Sequence, residues 1–179
     1  VRYSDGITYN GEFHFGKHHG HGNMIYANGD DYTGEWANDK REGRGTMTQQ
    51  KGGRYEGQWA RDMRNGEGKF TSDDNDVCLH ARWNDDVVCD GHMREENHAS
   101  GSVYDGNMIK GKKAGLGKME FGDGSTYRGQ WQDNFPFGEG TQEDPSTLED
   151  GGTYVENGDL AAAAAAAAAA VYDCWACFL

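Results

Sequence analysis

The feature that most constrains this sequence is a short motif that returns at intervals of 23 residues. In its clearest copy, residues 32–45 read YTGEWANDKREGRG: Tyr, Gly and Trp stand at steps of two, six residues intervene, and two glycines follow at a step of two. Copies begin at Tyr9, Tyr32, Tyr55, Tyr104 and Tyr127. An internal period of about 20 to 50 residues is typical of repeat architectures. The chain is therefore expected to be an array of similar short units.

The alternation within the motif predicts β-strands with one aromatic face. On a strand, Tyr32, Gly34 and Trp36 point to one side, and the residues between them point to the other. Glycine weakens a strand interior, and close approach of another group is a usual reason for its presence. If the aromatic run and the glycine run pair as an antiparallel hairpin, each ring covers glycines and recovers lost packing. We predict that each unit is strand, loop, strand and turn.

The same argument assigns structural roles to the aromatic and glycine positions of every copy. The repeat aromatics are Tyr9, Phe13, Tyr32, Trp36, Tyr55, Trp59, Tyr104, Tyr127 and Trp131. The structural glycines are Gly11, Gly20, Gly22, Gly34, Gly43, Gly45, Gly57, Gly66, Gly68, Gly106, Gly115, Gly117, Gly129, Gly138 and Gly140. A further glycine lies three residues before each Tyr, where a turn requires a positive φ angle.

The predicted fold class is all-β. A lone hairpin is marginally stable in water, so the units are expected to pair edge to edge as an elongated, single-layer antiparallel meander of 23-residue hairpins. Two strands per unit at about 4.8 Å spacing give roughly 10 Å per repeat, and five or six repeats give a plank of about 50 to 60 Å. The hydrophobic content of 35% fits this prediction better than a compact core.

The motif resembles the MORN repeat (membrane occupation and recognition nexus), and the resemblance covers residues 6–142 with one lapse. We expect residues 1–8 to end a preceding repeat, residues 9–77 to form three regular repeats, residues 78–103 a degenerate repeat with an insertion, residues 104–153 two further repeats, and residues 154–179 an irregular tail. In the degenerate repeat the expected Tyr position falls on Cys78, and the sequence LHARW with Trp83 reads as a first strand shifted by one residue. We expect a bulged or looped-out unit there.

The formal net charge is −13, and the charged residues are distributed unevenly between the loops and the turns. The six-residue loops are basic and the turns between repeats are acidic. The candidate partner-binding basic rim is Lys17, Lys40, Arg41, Arg61, Arg64, Lys110, Lys112 and Lys113. Opposed charged rims would orient the chain between charged partners. The alternative is that these loops are only solvated.

The end of the sequence is unlike the repeats. Ala161–Ala170 would be helical with Asp159 as an N-cap, and it is either a low-complexity linker or a stretch of unassigned residues. The apolar segment VYDCWACFL that follows it is expected to dock as a strand or helix. The chain opens at Val1 without Met, which suggests a fragment. The sequence contains no run of 18 apolar residues, so it predicts no membrane-spanning helix.

The usual catalytic and metal motifs give weak signals. Cys174 and Cys177 have redox or half-zinc-site spacing, but no second pair lies at a suitable distance. The histidines of HHGH (His18, His19, His21) could hold a metal, yet they occupy a loop that is basic in other repeats. No Walker, nucleophile-elbow or zincin motif is present. We predict no catalytic residue, no metal and no cofactor, and the four cysteines favour a reducing cytosol.

The resemblance implies a non-catalytic scaffold that binds proteins of a large axonemal or cytoskeletal assembly. Repeat arrays of this kind resemble radial spoke head proteins of cilia and flagella, which implies a location in the cytoplasm, at the axoneme. A homodimer through free sheet edges is a further expectation, and no nucleic-acid partner is expected. The alternative is membrane tethering or phosphoinositide binding, as proposed for junctophilins and plant phosphatidylinositol phosphate kinases. A third interpretation, an accessory domain as in a lysine methyltransferase family, requires a catalytic domain that these residues do not contain.

Overall fold

A computed structural model describes residues 1–145 and the two-residue strand Tyr154–Val155. The expectations for the alanine run, for the segment after it and for most of the tail fall outside the described residues. The chain divides into a first unit, residues 1–89, and a second unit that begins at Asp90.

The first unit is an antiparallel meander in which each strand pairs with the next along the chain. Its strands are β1 (Thr8–His14), β2 (Lys17–Ile25), β3 (Asp31–Ala37), β4 (Lys40–Gln49), β5 (Gly53–Ala60), β6 (Met63–Thr71), β7 (Val77–Asn84) and β8 (Val87–Val88).

The second unit repeats this topology, again with each strand antiparallel to its sequence neighbour. Its strands are β9 (Gly91–Asn97), β10 (Ser102–Ile109), β11 (Lys112–Glu120), β12 (Thr126–Gln132), β13 (Phe135–Glu143) and β14 (Tyr154–Val155). The described residues form strands and turns, with no α-helix, which confirms the all-β meander predicted from the sequence. None of them forms a helix that could cross a membrane.

The register places like residues side by side on neighbouring strands. Gly34 of β3 lies between Gly22 of β2 and Gly45 of β4. Tyr32 lies between Met24 and Met47 in the same way. The motif therefore produces rows of glycines and rows of large side chains that run across the strands, on the face that we call the ring face.

The predicted six-residue loops are much shorter in the structure. Between Trp36 and Gly43 only Asn38 and Asp39 form the turn, both with positive φ (51° and 68°), and β4 begins at Lys40. Two central residues with positive φ define the type I′ turn, whose twist matches that of the strands it joins. The remaining loop residues pair, and a bulge at Gly43, where φ is 62°, absorbs the extra residue.

Residues 1–8 repeat the turn geometry found between later units. The amide of Tyr3 donates to the Ile7 carbonyl (2.8 Å), and that of Gly6 donates to the Tyr3 carbonyl (3.2 Å). One repeat later, Tyr26, Gly29 and Asp30 make the same two bonds at 2.8 and 2.9 Å. Residues 3–7 and residues 26–30 thus form the same kind of turn.

The degenerate repeat keeps its tryptophan in register, with the predicted shift of one residue. Trp83 lies opposite Gly66, as Trp59 lies opposite Gly43. Leu79 takes the Tyr position, opposite Phe70, and Ala81 takes the glycine position beside it. The loss of the Tyr ring and the gain of a methyl group therefore occur together.

Candidate interaction surface

The ring face is occupied by packing within the chain. Tyr32 is fully buried, and its hydroxyl donates to the Glu35 carbonyl at 3.1 Å. Its ring meets Trp36 and Trp59 edge to face, at centroid distances of 5.1 and 5.4 Å. Each such pair contributes about 0.5 to 1.5 kcal/mol beyond its buried area. The equivalent bonds of Tyr9, Tyr55, Tyr104 and Tyr127 to the carbonyl three residues on measure 2.8 to 3.0 Å.

Three tryptophans join their repeat to the repeat before it. The indole Nε1 of Trp36 donates to the Gly22 carbonyl at 3.1 Å. Trp59 donates likewise to Gly45 (3.1 Å), and Trp131 donates to Gly117 (3.2 Å). A buried indole N–H normally needs an acceptor, and here a bare glycine backbone supplies it.

The glycines are required because the tyrosine ring lies against them. A Cβ atom on Gly34 would lie 2.5 Å from the Gly45 Cα and 2.6 Å from the Tyr32 hydroxyl oxygen. A Cβ on Gly45 would meet the Tyr32 Cε2 and Cζ atoms at 2.5 Å. The same contacts recur at Gly57 and Gly68 under Tyr55. The structure therefore has the ring-over-glycine arrangement that the spacing predicts.

Burial also fixes the protonation of these phenols. Desolvation raises the pKa of Tyr32 well above its ordinary value and that of Tyr55 to about 12, against the opposing effect of the nearby Arg41 and Arg64. Desolvation raises the pKa of Tyr104 as well. Near neutral pH these hydroxyls stay protonated, as hydrogen-bond donors to the backbone.

Two repeat positions depart from the aromatic pattern. Phe13 is 45% exposed, while Trp36 at the same position of the next repeat is 4% exposed. Phe13 lies on β1, the first strand of the first unit. In the fourth repeat this position is Met108, which is buried.

The type I′ turns form a ladder of reciprocal hydrogen bonds along one edge of each unit. The Arg41 amide donates to the Asp62 Oδ1 at 2.9 Å, and the Asp62 amide donates to the Arg41 carbonyl at 3.1 Å. The pairs His18–Asp39, Arg64–Asp86 and Lys113–Asn134 repeat both bonds at 2.8 to 3.1 Å. In these four pairs the second residue of a turn thus caps the strand that follows the preceding turn.

Three of the eight residues predicted for the basic rim are part of the packed ring face instead. The Arg41 guanidinium lies 4.2 Å from the ring centroid of Trp59, and that of Arg64 lies 4.1 Å from Trp83. Lys113 is 8% exposed, with its Nζ 5.1 Å from the Tyr104 ring centroid and 3.6 Å from a Glu95 carboxylate oxygen. The correction follows from strand alternation, because these residues are already inside a strand and point to the ring face.

His18 occupies this stacking position in the first repeat. Its ring lies 3.9 Å from the Tyr9 centroid, and its Nε2 is 2.8 Å from the Tyr3 hydroxyl. Its Nδ1 lies 3.3 Å from the Asp39 Oδ1 without an aligned hydrogen bond. Desolvation lowers the pKa of His18, although Asp39 opposes this effect.

The remaining predicted rim residues lie at or beside the turns and are exposed. Lys112 pairs with Asp133 at 2.9 Å. The other four are Lys17, Lys40, Arg61 and Lys110. The candidate rim therefore narrows to these four residues, which we call the exposed cations.

The acidic turns between repeats are partly organised by their own hydrogen bonds. The Asp74 carboxylate accepts bonds from the Ser72 hydroxyl and the Asp76 amide, and these bonds hold its pKa below the usual range. The bond from the Ser125 hydroxyl likewise lowers the pKa of Asp123. These carboxylates act as turn caps.

The face opposite the ring face, which we call the second face, is mostly polar in the first unit, where Ile25 and Val87 are exposed, and carries four exposed apolar side chains in the second. Gln130 of β12 lies between Leu116 of β11 and Phe137 of β13, and both neighbours are exposed. We call the exposed residues Ile109, Leu116, Phe135 and Phe137 the apolar patch. Sequence reasoning missed this patch, although Leu116 between two glycines was a visible signal.

The comparisons with known proteins agree with this geometry. The MORN repeat family matches at residues 9–31, 32–54, 55–77, 104–126 and 127–146, and residues 78–103 fall between the third and fourth matches. The chain belongs to the MORN repeat family. MORN repeats indicate a protein-interaction or membrane-binding module, and MORN repeat proteins are generally non-catalytic scaffolds.

No curated protein sequence matches the chain. A matching solved structure is the TCP domain of SAS-4 (dCPAP) in complex with a proline-rich motif of Ana2 (dSTIL) of Drosophila melanogaster, with 14% identity, 88% of each chain covered and a TM-score of 0.48. A likeness at this level carries no functional argument.

Proposed function

We propose that this MORN repeat chain is a non-catalytic scaffold that holds other proteins in place within a ciliary or flagellar assembly, such as the radial spoke head. The scaffold role is supported by the packing of the ring face within each unit. The aromatic, glycine and stacking cation positions are occupied by contacts within each unit, as with Tyr32, Trp36 and Arg41. This leaves turn edges and second faces as broad docking surfaces. The ciliary location rests on the resemblance to axonemal MORN proteins.

Rigidity supports this role. Consecutive repeats are joined by the strand ladder, by the Trp–Gly bonds and by the reciprocal turn bonds. A surface held by several independent contacts binds a partner with a smaller loss of conformational entropy than a mobile surface.

A second candidate function is attachment to an anionic membrane, and the exposed cations favour it. Lys17, Lys40, Arg61 and Lys110 all lie at or next to type I′ turns and are exposed. A basic residue near an anionic lipid surface contributes about 1 kcal/mol. The formal net charge of −13 opposes this attraction.

One experiment compares the two functions. The tagged chain is used to recover partners from detergent extracts of ciliated cells, with identification by mass spectrometry, and the purified chain is tested for flotation with phosphoinositide liposomes. The scaffold role predicts recovery of spoke or other cytoskeletal proteins without flotation. Flotation without such partners would reject it in favour of a membrane tether.

A charge-matched pair of variants identifies the surface involved. One variant reverses the four exposed cations to Glu, and the control reverses Arg44, Lys51, Arg82 and Arg128, which are also exposed but lie outside the candidate rim. Both carry the same change in net charge. If only the first variant loses binding, the exposed cations form the binding surface. If both variants lose binding equally, the interaction depends on overall charge.

A further inference from the structure

The apolar patch lies on a second face that is otherwise mostly polar. Leu116 is 68% exposed, Phe137 56% and Ile109 52%. The residue that corresponds to Leu116 in the other regular repeats is His21, Arg44, Glu67 or Glu139. The first unit therefore carries polar side chains at the position where the second unit exposes a leucine.

The strand register brings the patch residues together. Leu116 and Phe137 both pair with Gln130, on either side of β12, and Phe135 pairs with Gln132 on the same face. Adjacent strands are about 4.8 Å apart, so Leu116 and Phe137 lie about 10 Å from each other across Gln130, within reach of one short segment. Exposed apolar residues that are grouped on one face mark a binding site more often than scattered ones do.

We propose that the apolar patch is covered by the chain's own segment Val171–Leu179. This segment, VYDCWACFL, lies outside the described residues and has one charged residue in nine. Its aromatic and aliphatic side chains match the chemistry of Leu116 and Phe137. Its one acidic residue, Asp173, has a cation available in the exposed Arg128 on the same face.

The length of chain between patch and segment permits this contact. β14 pairs with Thr141 and Gln142 of β13, and Phe137 precedes Thr141 by four residues, or about 13 Å along a strand. Fifteen residues, 156–170, separate β14 from the segment. They would reach about 50 Å if extended and about 22 Å if helical, so either conformation suffices.

Tethering favours this occupant over a second copy of the chain. A covalent tether of this length gives the segment an effective concentration on the order of millimolar near the patch. A second molecule at micromolar concentration competes poorly with it. The inference goes beyond the scaffold role and does not depend on it.

Site-resolved alkylation of the full chain tests this contact, because Cys174 and Cys177 lie within the segment. Docking over Leu116 and Phe137 should slow alkylation of both cysteines at least about fivefold relative to the double variant Leu116→Ser and Phe137→Ser. Mass spectrometry of peptides separates these thiols from Cys78 and Cys89. Cys78 is buried, so its slow reaction in every variant shows that the first unit stays folded.

The matched control carries Arg44→Ser and Glu67→Ser, which alter the position of Leu116 in two other repeats. It should protect Cys174 and Cys177 as well as the unaltered chain does. Equal alkylation rates in the unaltered chain and the Leu116/Phe137 variant would overturn the proposal. Protection that grows with chain concentration would also overturn it, since a second copy would then be the occupant.

Discussion

The guanidinium of Arg41 lies 4.2 Å from the ring centroid of Trp59, which belongs to the next repeat. Its Nε lies 3.4 Å from the Asp62 Oδ1, which also accepts the Arg41 amide. One side chain thus joins two repeats through a ring, a carboxylate and the backbone. Arg64 repeats this contact with Trp83 and Asp86.

Removing a repeat tryptophan should loosen the array. Trp36→Ala and Trp59→Ala should each lower the free energy of unfolding by about 3 to 5 kcal/mol, because a buried ring and its Nε1 bond are both lost. Phe13→Ala is the matched control, since Phe13 is 45% exposed, and it should cost under about 1 kcal/mol. Thermal denaturation measures all three. An unchanged melting temperature in both tryptophan variants would contradict the ring-over-glycine account.

The tyrosine ring and the glycine beneath it should be energetically coupled. Gly45→Ala places a methyl group against the Tyr32 ring and should cost about 1 to 3 kcal/mol. Adding Tyr32→Leu should make the double variant less destabilised than the sum of the single changes, by about 1 kcal/mol. Leu79 and Ala81 in β7 stand at the positions of Tyr32 and Gly34, so a smaller side chain at the Tyr position there accompanies a methyl group at a neighbouring glycine position. Denaturant unfolding of the four chains measures this coupling. If the free-energy losses of the two single variants simply add in the double variant, the contact between Tyr32 and Gly45 is not the cause of the lost stability.

The turn ladder should depend on a side-chain oxygen at its second turn position. Asp62→Ala removes the acceptor for the Arg41 amide at a residue with a φ of 74°, and should cost about 1 to 3 kcal/mol. Asp62→Asn should cost under about 1 kcal/mol, because Asn tolerates this backbone region and Asn134 caps Lys113 in the same way at 2.8 Å. Equal losses of stability in the two variants would mean that the hydrogen bond is dispensable.

His18 should make the first repeat sensitive to acid. Its folded pKa is lowered by desolvation, so the unfolded chain binds the proton more readily, and stability increases with pH over this range. The contribution is fully present above about pH 6.5, the ordinary value, and is lost as the pH falls from there towards the lower folded pKa. The facing groups are Asp39, Tyr3, Tyr9 and the amino terminus of Val1.

Melting temperatures between pH 5 and 7.5 measure this effect, with His18→Arg as the comparison. Arg stays charged throughout and supplies the stacking cation found at Arg41. The difference between the two chains should therefore widen as the pH falls. Parallel curves would exclude His18 as the titrating group.

The buried Lys113 and the exposed Lys110 should respond differently to charge reversal. Lys113→Glu places a second carboxylate beside the buried Glu95 and should cost about 3 to 5 kcal/mol. Lys110→Glu alters an exposed residue and should change stability by about 0.5 kcal/mol or less. Urea denaturation measures both. A fold unaffected by Lys113→Glu would return Lys113 to the candidate docking rim.

Sequence reasoning predicted the structural positions better than the surface. Residue type at steps of two predicts that Tyr32 and Trp36 share a face with Gly34, since alternation is a local property of a strand. It placed Arg41 and Arg64 in loops because it treated the six residues before each Gly-x-Gly as unpaired. A type I′ turn uses only two of those residues, and that geometry moves both arginines onto the ring face.

The sequence by itself determined the repeat, its period, the all-β class and the pairing of rings with glycines, because each depends on spacing along one chain. The tertiary structure decided which charged residues remain available, because exposure depends on neighbours that register brings together. Arg41 and Lys40 are adjacent in sequence, yet one stacks on Trp59 and the other is exposed. The same register placed Leu116 and Phe137 on either side of Gln130 and so created the apolar patch.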